Sequence, residues 1–102
     1  MGNNKDRMDI LLVEDEDYDI DLTQRAIYKS DVESKLFVVR DGEEALDFLY
    51  RREGFEDVPK PDLILLDLNL PKIGGHEVLE TVKEDDELKT IPIIVLTVSE
   101  RE

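Results

Sequence analysis

Asp62-Leu-Ile-Leu-Leu-Asp67-Leu-Asn69-Leu-Pro71 is the stretch that decides the fold. Its apolar run, Leu63 to Leu66, is too short for an ordinary helix and lies between Pro61 and Pro71. It therefore reads as a strand buried on both faces. A carboxylate, Asp67, stands where that strand runs out. An acid that closes an apolar strand is costly to bury and useful where something must be bound.

Outward from this stretch, the same signature recurs. Ile10-Leu-Leu-Val13, Leu36-Phe-Val-Val39 and Ile91-Pro-Ile-Ile-Val-Leu96 are short, apolar and rich in branched residues, so each reads as a strand. Between them the period changes to helical. From Asp17 to Lys29 the pairs Leu22 with Ala26 and Thr23 with Ile27 lie four apart. Asp41-Gly-Glu-Glu44 has capping-box spacing ahead of Ala45, Leu46 and Leu49, and predicts a helix to about Arg52. Val78, Leu79 and Val82 mark a third helix that weakens in Glu84-Asp85-Asp86-Glu87. Glu53 to Pro61, with Gly54, Pro59 and Pro61, reads as a loop. Tyr18, Tyr28 and Phe48 occupy helical positions and are taken as packing residues. His76, the one histidine, falls in the first turn of the third helix and is expected to face solvent.

Composition bounds the function. A length of 102 residues suits one domain with one modest core. Twenty-seven acids against thirteen bases give a net charge of −14, which argues against nucleic acid and against an anionic membrane as partners. The acids are spread along the chain as solvated surface. There is no cysteine, so disulfides, thiolate metal sites and cysteine nucleophiles are all excluded. Met1 to Arg7 is polar and has no apolar segment of a signal peptide. It reads as part of a lead-in over residues 1–8, with the domain proper from 9 to 102. No stretch reaches the length of a membrane span, and a cytoplasmic protein is the expectation.

The order strand, helix, strand, helix, strand, helix, strand, with strands apolar throughout, predicts an α/β domain. Its sheet should be parallel and doubly wound, with helices on both faces. In such sheets the functional crevice lies beyond the carboxyl ends of the strands. Three strands end in oxygen-bearing groups: Glu14-Asp15, Asp67 and Thr97. If the strands are neighbours, these groups converge. Clustered carboxylates repel, and a hard divalent cation such as Mg²⁺ relieves that repulsion while keeping phosphate and water as other ligands. A hydroxyl such as that of Thr97 can donate to a phosphoryl oxygen. Asp67 can be either a ligand of the metal or the oxygen that accepts the phosphoryl group.

Leu11-Leu-Val-Glu14-Asp15, Asp67-Leu-Asn69-Leu-Pro71 followed by Gly75, and Ile94-Val-Leu-Thr97, taken together, resemble the receiver domain of two-component response regulators. The likeness runs from about Asp9 to Ser99. Within the family it is nearest the single-domain regulators that pair with phytochrome-type kinases. The resemblance implies a flavodoxin-like sheet in the order 2-1-3-4. It also implies that Asp67 takes a phosphoryl group from a phosphohistidine of a sensor histidine kinase. Glu14, Asp15, Asp67 and the backbone carbonyl of Asn69 would hold Mg²⁺, with Asp15 the more direct ligand of the first two. Thr97 would hydrogen-bond the phosphoryl group, and Gly75 would serve the turn into the third helix. Such a chain is a phosphoacceptor that assists its own phosphorylation and dephosphorylation, not a turnover enzyme. A Mg²⁺-dependent phosphohydrolase is the weaker reading, because the position two beyond Asp67 holds Asn69 where that chemistry needs an acid.

The family pattern continues past Thr97 with a further helix, a fifth strand ending in a lysine, and a last helix. This sequence stops at Glu102, and no residue in it stands at the lysine position. On that reading the fourth strand forms the sheet edge, softened only by Pro92, and core faces are left uncovered. A fragment that self-associates through that edge, keeping the acidic pocket without signalling output, is the alternative expectation.

Overall fold

The computed structural model describes residues 7–68, 70 and 74–96. Four parallel strands, β1 (Met8–Val13), β2 (Ser34–Val39), β3 (Leu63–Asp67) and β4 (Ile93–Leu96), lie in the order β2-β1-β3-β4. Three helices, α1 (Asp17–Lys29), α2 (Gly42–Leu49) and α3 (Gly75–Glu84), connect them. The expected class, strand order and element sequence are all present.

Alternation along the strands divides the core into two layers. Leu11, Val13, Val39, Ile64 and Leu66 pack with Ala45, Phe48, Leu49, Val78 and Val82 of α2 and α3. Ile10, Leu12 and Leu65 face the other way, onto Ile20 of α1, with Ile27, Leu36, Val38 and Leu96 half-buried around them. Each fully buried aliphatic side chain contributes roughly 1.5–3 kcal/mol, so the central strands β1 and β3 anchor the domain. A chain of rings, Phe37 to Phe48 to Phe55 with centroids 5.4 and 5.5 Å apart, extends the larger layer under the loop that follows α2.

The structure corrects three details. The side of α1 that meets the sheet is set by Ile20, Thr23 and Ile27, while Leu22 and Ala26 are exposed. Tyr18 and Tyr28 stand in solvent at 71% and 89% exposure, whereas Phe48 is buried as expected. Helix α2 ends at Leu49, short of Arg52. Arg51 turns left-handed at φ 56, its N–H bonds to the Phe48 carbonyl, and the Arg52 N–H bonds to the Asp47 carbonyl. That is a Schellman ending with arginine in the position usually held by glycine, so the usual sequence signal for the stop is missing. The start of α2 follows its signature: Asp41 Oδ1 accepts from the Glu44 N–H at 2.8 Å. In return Glu44 Oε1 accepts from the backbone N–H of Arg40 at 2.9 Å.

Among the described strands β4 is at one edge, with Ile94 50% exposed. Helices α2 and α3 are joined at their C-terminal ends by the Tyr50 hydroxyl, which donates to Asp85 Oδ2 at 2.8 Å. No helix among the described residues is long and apolar enough to cross a membrane.

Candidate functional site

The site is built by strand register. β1 and β3 pair Ile10 with Leu63 and Val13 with Leu66, so the next residue of β1's chain, Glu14, comes level with Asp67. The ladder does not stop at Val13, because the Glu14 N–H donates to the Val39 carbonyl of β2 at 3.0 Å. Sheet geometry thus aims Glu14 and Asp67 at the same place, and both are buried, at 1% and 5% exposure. Asp15 follows, half-buried. Carboxylate oxygens of Glu14, Asp15 and Asp67 all lie within 4.8 Å of one another.

The crowding is felt at Glu14. The Glu14 carboxyl is pushed up to about 7, first by burial and then by the charge of Asp67 and a hydrogen bond shared with it, with Asp19 adding a smaller push. The Glu16 N–H, donating to Glu14 Oε2 at 3.3 Å, opposes the shift. At neutral pH Glu14 therefore sits close to the point where it gains or loses a proton. A donor set made only of hard oxygens, crowded and partly desolvated, fits a hard divalent cation. Such an ion would offset the Asp67 repulsion that adds to the effect of burial on Glu14.

Helix α3 closes in from the side. A Cβ on Gly75 would come 2.5 Å from the Asp67 carbonyl oxygen and 2.5 Å from Leu68 Cα. Glycine is thus required by the close approach of the helix to the end of β3, and this, more than the shape of the turn, accounts for Gly75.

Glu14, Asp15 and Asp67, expected from the sequence, are brought together. Asn69 and Thr97 lie outside the described residues, as do Pro71 and Lys72. His76 is exposed, as expected. Arg40 was not expected near the acids, yet its guanidinium reaches Asp17 Oδ1 at 2.7 Å and the Asp15 carbonyl at 3.4 Å. A base one residue past the β2 run, and so at the acids' end of a parallel sheet, was the signal that could have found it.

The family model of the response regulator receiver domain matches residues 10–102. The chain belongs to the response regulator receiver family. Among curated proteins it is 47% identical over 93 residues to the response regulator Rcp1 of Synechocystis sp., covering 91% of this chain and 63% of that relative. The chain thus spans less than two thirds of that relative's length. Among solved structures it is similar to the phosphorylated cyanobacterial phytochrome response regulator RcpA. The TM-score is 0.86 and the identity 46%, over 93% of this chain and 68% of the other. It is equally similar to the Mn²⁺-bound form of response regulator Rcp1, with TM-score 0.87 and 46% identity over the same shares, 93% and 68%.

Proposed function

We propose that this receiver domain accepts a phosphoryl group on Asp67 from a phosphohistidine of a sensor histidine kinase. One observation carries the reading: Asp67 ends the central strand β3, buried, with the carboxylates of Glu14 and Asp15 within 4.8 Å. A carboxylate oxygen of Asp67 attacks phosphorus, the phosphorus–nitrogen bond to the kinase histidine breaks, and the imidazole leaves with that electron pair and takes a proton. Asp67 is left as an acyl-phosphate. Burial excludes competing solvent nucleophiles, and the rigid end of β3 holds the attacking oxygen in place.

Glu14, Asp15 and Asp67 would hold Mg²⁺, joined by the Asn69 carbonyl as the family resemblance implies. The ion supplies neutralising charge for the phosphoryl oxygens. Thr97 would donate its hydroxyl to the bound phosphoryl group. The Mn²⁺-bound relative supports a divalent-cation site, and the phosphorylated relative supports phosphorylation as the event it serves. RcpA is a phytochrome response regulator, which supports a phytochrome-type kinase as the partner of this chain; the cytoplasm is the compartment proposed for both. The chain acts as a phosphoacceptor and not as a turnover enzyme.

Incubation with acetyl phosphate and Mg²⁺, followed by intact-mass measurement, tests the reading. The wild-type chain should gain one phosphoryl group that hydroxylamine removes, and Asp67→Asn should gain none. A wild-type chain that stays unmodified, or an Asp67→Asn chain that is modified as well, contradicts it. Turnover of a phosphate ester, such as p-nitrophenyl phosphate, by many equivalents per chain would point instead to a hydrolase.

A further inference from the structure

Arg40 lies one residue beyond β2, at the same end of the sheet as the three acids. Its backbone N–H donates to Glu44 Oε1 at 2.9 Å, which ties its main chain to the start of α2. From that anchor the side chain extends to the neighbouring turn. Nη2 donates to Asp17 Oδ1 at 2.7 Å, and Nη1 makes a longer contact, 3.4 Å, to the backbone carbonyl of Asp15. Both partners belong to Glu14-Asp15-Glu16-Asp17, four consecutive acids joining β1 to α1.

Stability alone does not explain this arrangement. Arg40 is 53% exposed and Asp17 85%, and an ion pair so open to water contributes about 0–1 kcal/mol. Orientation does. Glu14 is fixed on one side by its bond to Val39, and the Glu16 carbonyl is fixed on the other by the Ile20 N–H at 3.0 Å. The peptide between them carries Asp15. Holding the Asp15 carbonyl sets the direction in which its side chain leaves the backbone, against a repulsion that favours turning it away from Glu14 and Asp67.

We infer that Arg40 is a positioning residue for this site, its forked guanidinium holding the Asp15 carbonyl and the Asp17 carboxylate so that the Asp15 carboxylate faces Glu14 and Asp67. This rests on the cation-assisted phosphoacceptor reading above. The inference has a sign that separates it from a simple charge effect. Removing a positive charge beside a cation site strengthens cation binding if only electrostatics is at work. Removing a positioning group weakens it.

Mn²⁺ titration of the whole chain, with free Mn²⁺ followed by electron paramagnetic resonance, reads that sign. Arg40→Met should bind Mn²⁺ roughly two- to fivefold more weakly, the range a single exposed polar tie can supply. Arg40→Lys keeps the charge but not the fork and should also be weakened. The rate of Asp67 phosphorylation by acetyl phosphate in Arg40→Met should fall at low Mn²⁺ and recover at saturating Mn²⁺, which a general loss of structure would not allow. The metal-free melting midpoint should hardly move. Equal or tighter Mn²⁺ binding by Arg40→Met, or full recovery by Arg40→Lys, overturns the assignment of Arg40 while leaving the function intact. A wild-type chain that binds no Mn²⁺ overturns both.

Discussion

At the N-terminal end of the strands, Asp9 is 2% exposed and pairs with Arg7 at 3.2 Å. Its N–H donates to Asp62 Oδ2 at 2.8 Å, and the Asp62 N–H donates back to the Asp9 carbonyl at 2.7 Å, which fastens β1 to the start of β3. At the C-terminal end Glu14 is buried as deeply, but its neighbours include two more carboxylates. One end matches its buried acid with an opposite charge; the other crowds like charges together. The first arrangement holds strands in place. The second works against stability, and a cation received there would offset that cost.

The contrast is broken most directly by pH. The Glu14 carboxyl lies at about 7 against an ordinary 4.5, so the folded chain binds that proton more tightly than the unfolded chain does. The associated stability is fully present below about 4.5 and is lost as pH rises through about 7. Glu14→Gln carries no charge to lose. It should exceed wild type in stability well above neutral pH by on the order of 3 kcal/mol, with the gap closing in acid. Urea midpoints measured without divalent ions check this, and a gap independent of pH would end the claim that the crowded end costs stability.

Next in size is the effect of the ion itself. Mg²⁺ at about a hundredfold above its dissociation constant should add about 2.7 kcal/mol and raise the melting midpoint by several degrees. Asp15→Ala should abolish the rise. A wild-type midpoint unmoved by Mg²⁺ would leave the acidic cluster without its proposed ligand.

Gly75→Ala tests how closely the crowded end is packed. With a Cβ 2.5 Å from two backbone atoms of β3's end, the substitution should cost about 1–3 kcal/mol in a denaturant melt and weaken Mg²⁺ binding. A neutral result would mean that α3 can retreat freely from Asp67. The smallest effect belongs to the other end. Arg7 is 49% exposed, so Arg7→Gln should cost about 1 kcal/mol or less, with Mg²⁺ affinity unchanged. An equal loss of Mg²⁺ affinity would show that the two ends are not independent.

Much of this was legible in the residues. Strands apolar on both faces, such as Leu63 to Leu66, have one comfortable environment, the middle of a parallel sheet between helices. Acids placed just after such runs are then forced to one end, which is why Glu14, Asp15 and Asp67 could be grouped before their distances were known. What escaped depended on tertiary choice. Which side of α1 meets the sheet is a matter of Ile20 against Leu22, and both sides carry apolar residues. The end of α2 rests on Arg51 accepting a left-handed φ without being glycine. The partners of Arg40 belong to a turn 25 and 23 residues away, a pairing that no local pattern encodes.

The hydrogen bond from the Glu14 amide to Val39 has a meaning for hydrogen exchange. It makes the first acid of the site the last rung of the central sheet, so that amide belongs to the same cooperative unit as Leu11 and Leu12. Its proton should exchange only when the whole domain opens, at the slow limit set by global stability. An event that loads or relieves Glu14 is then registered by the entire sheet, and protection at β1, β2 and β3 should rise and fall together with occupancy of the site.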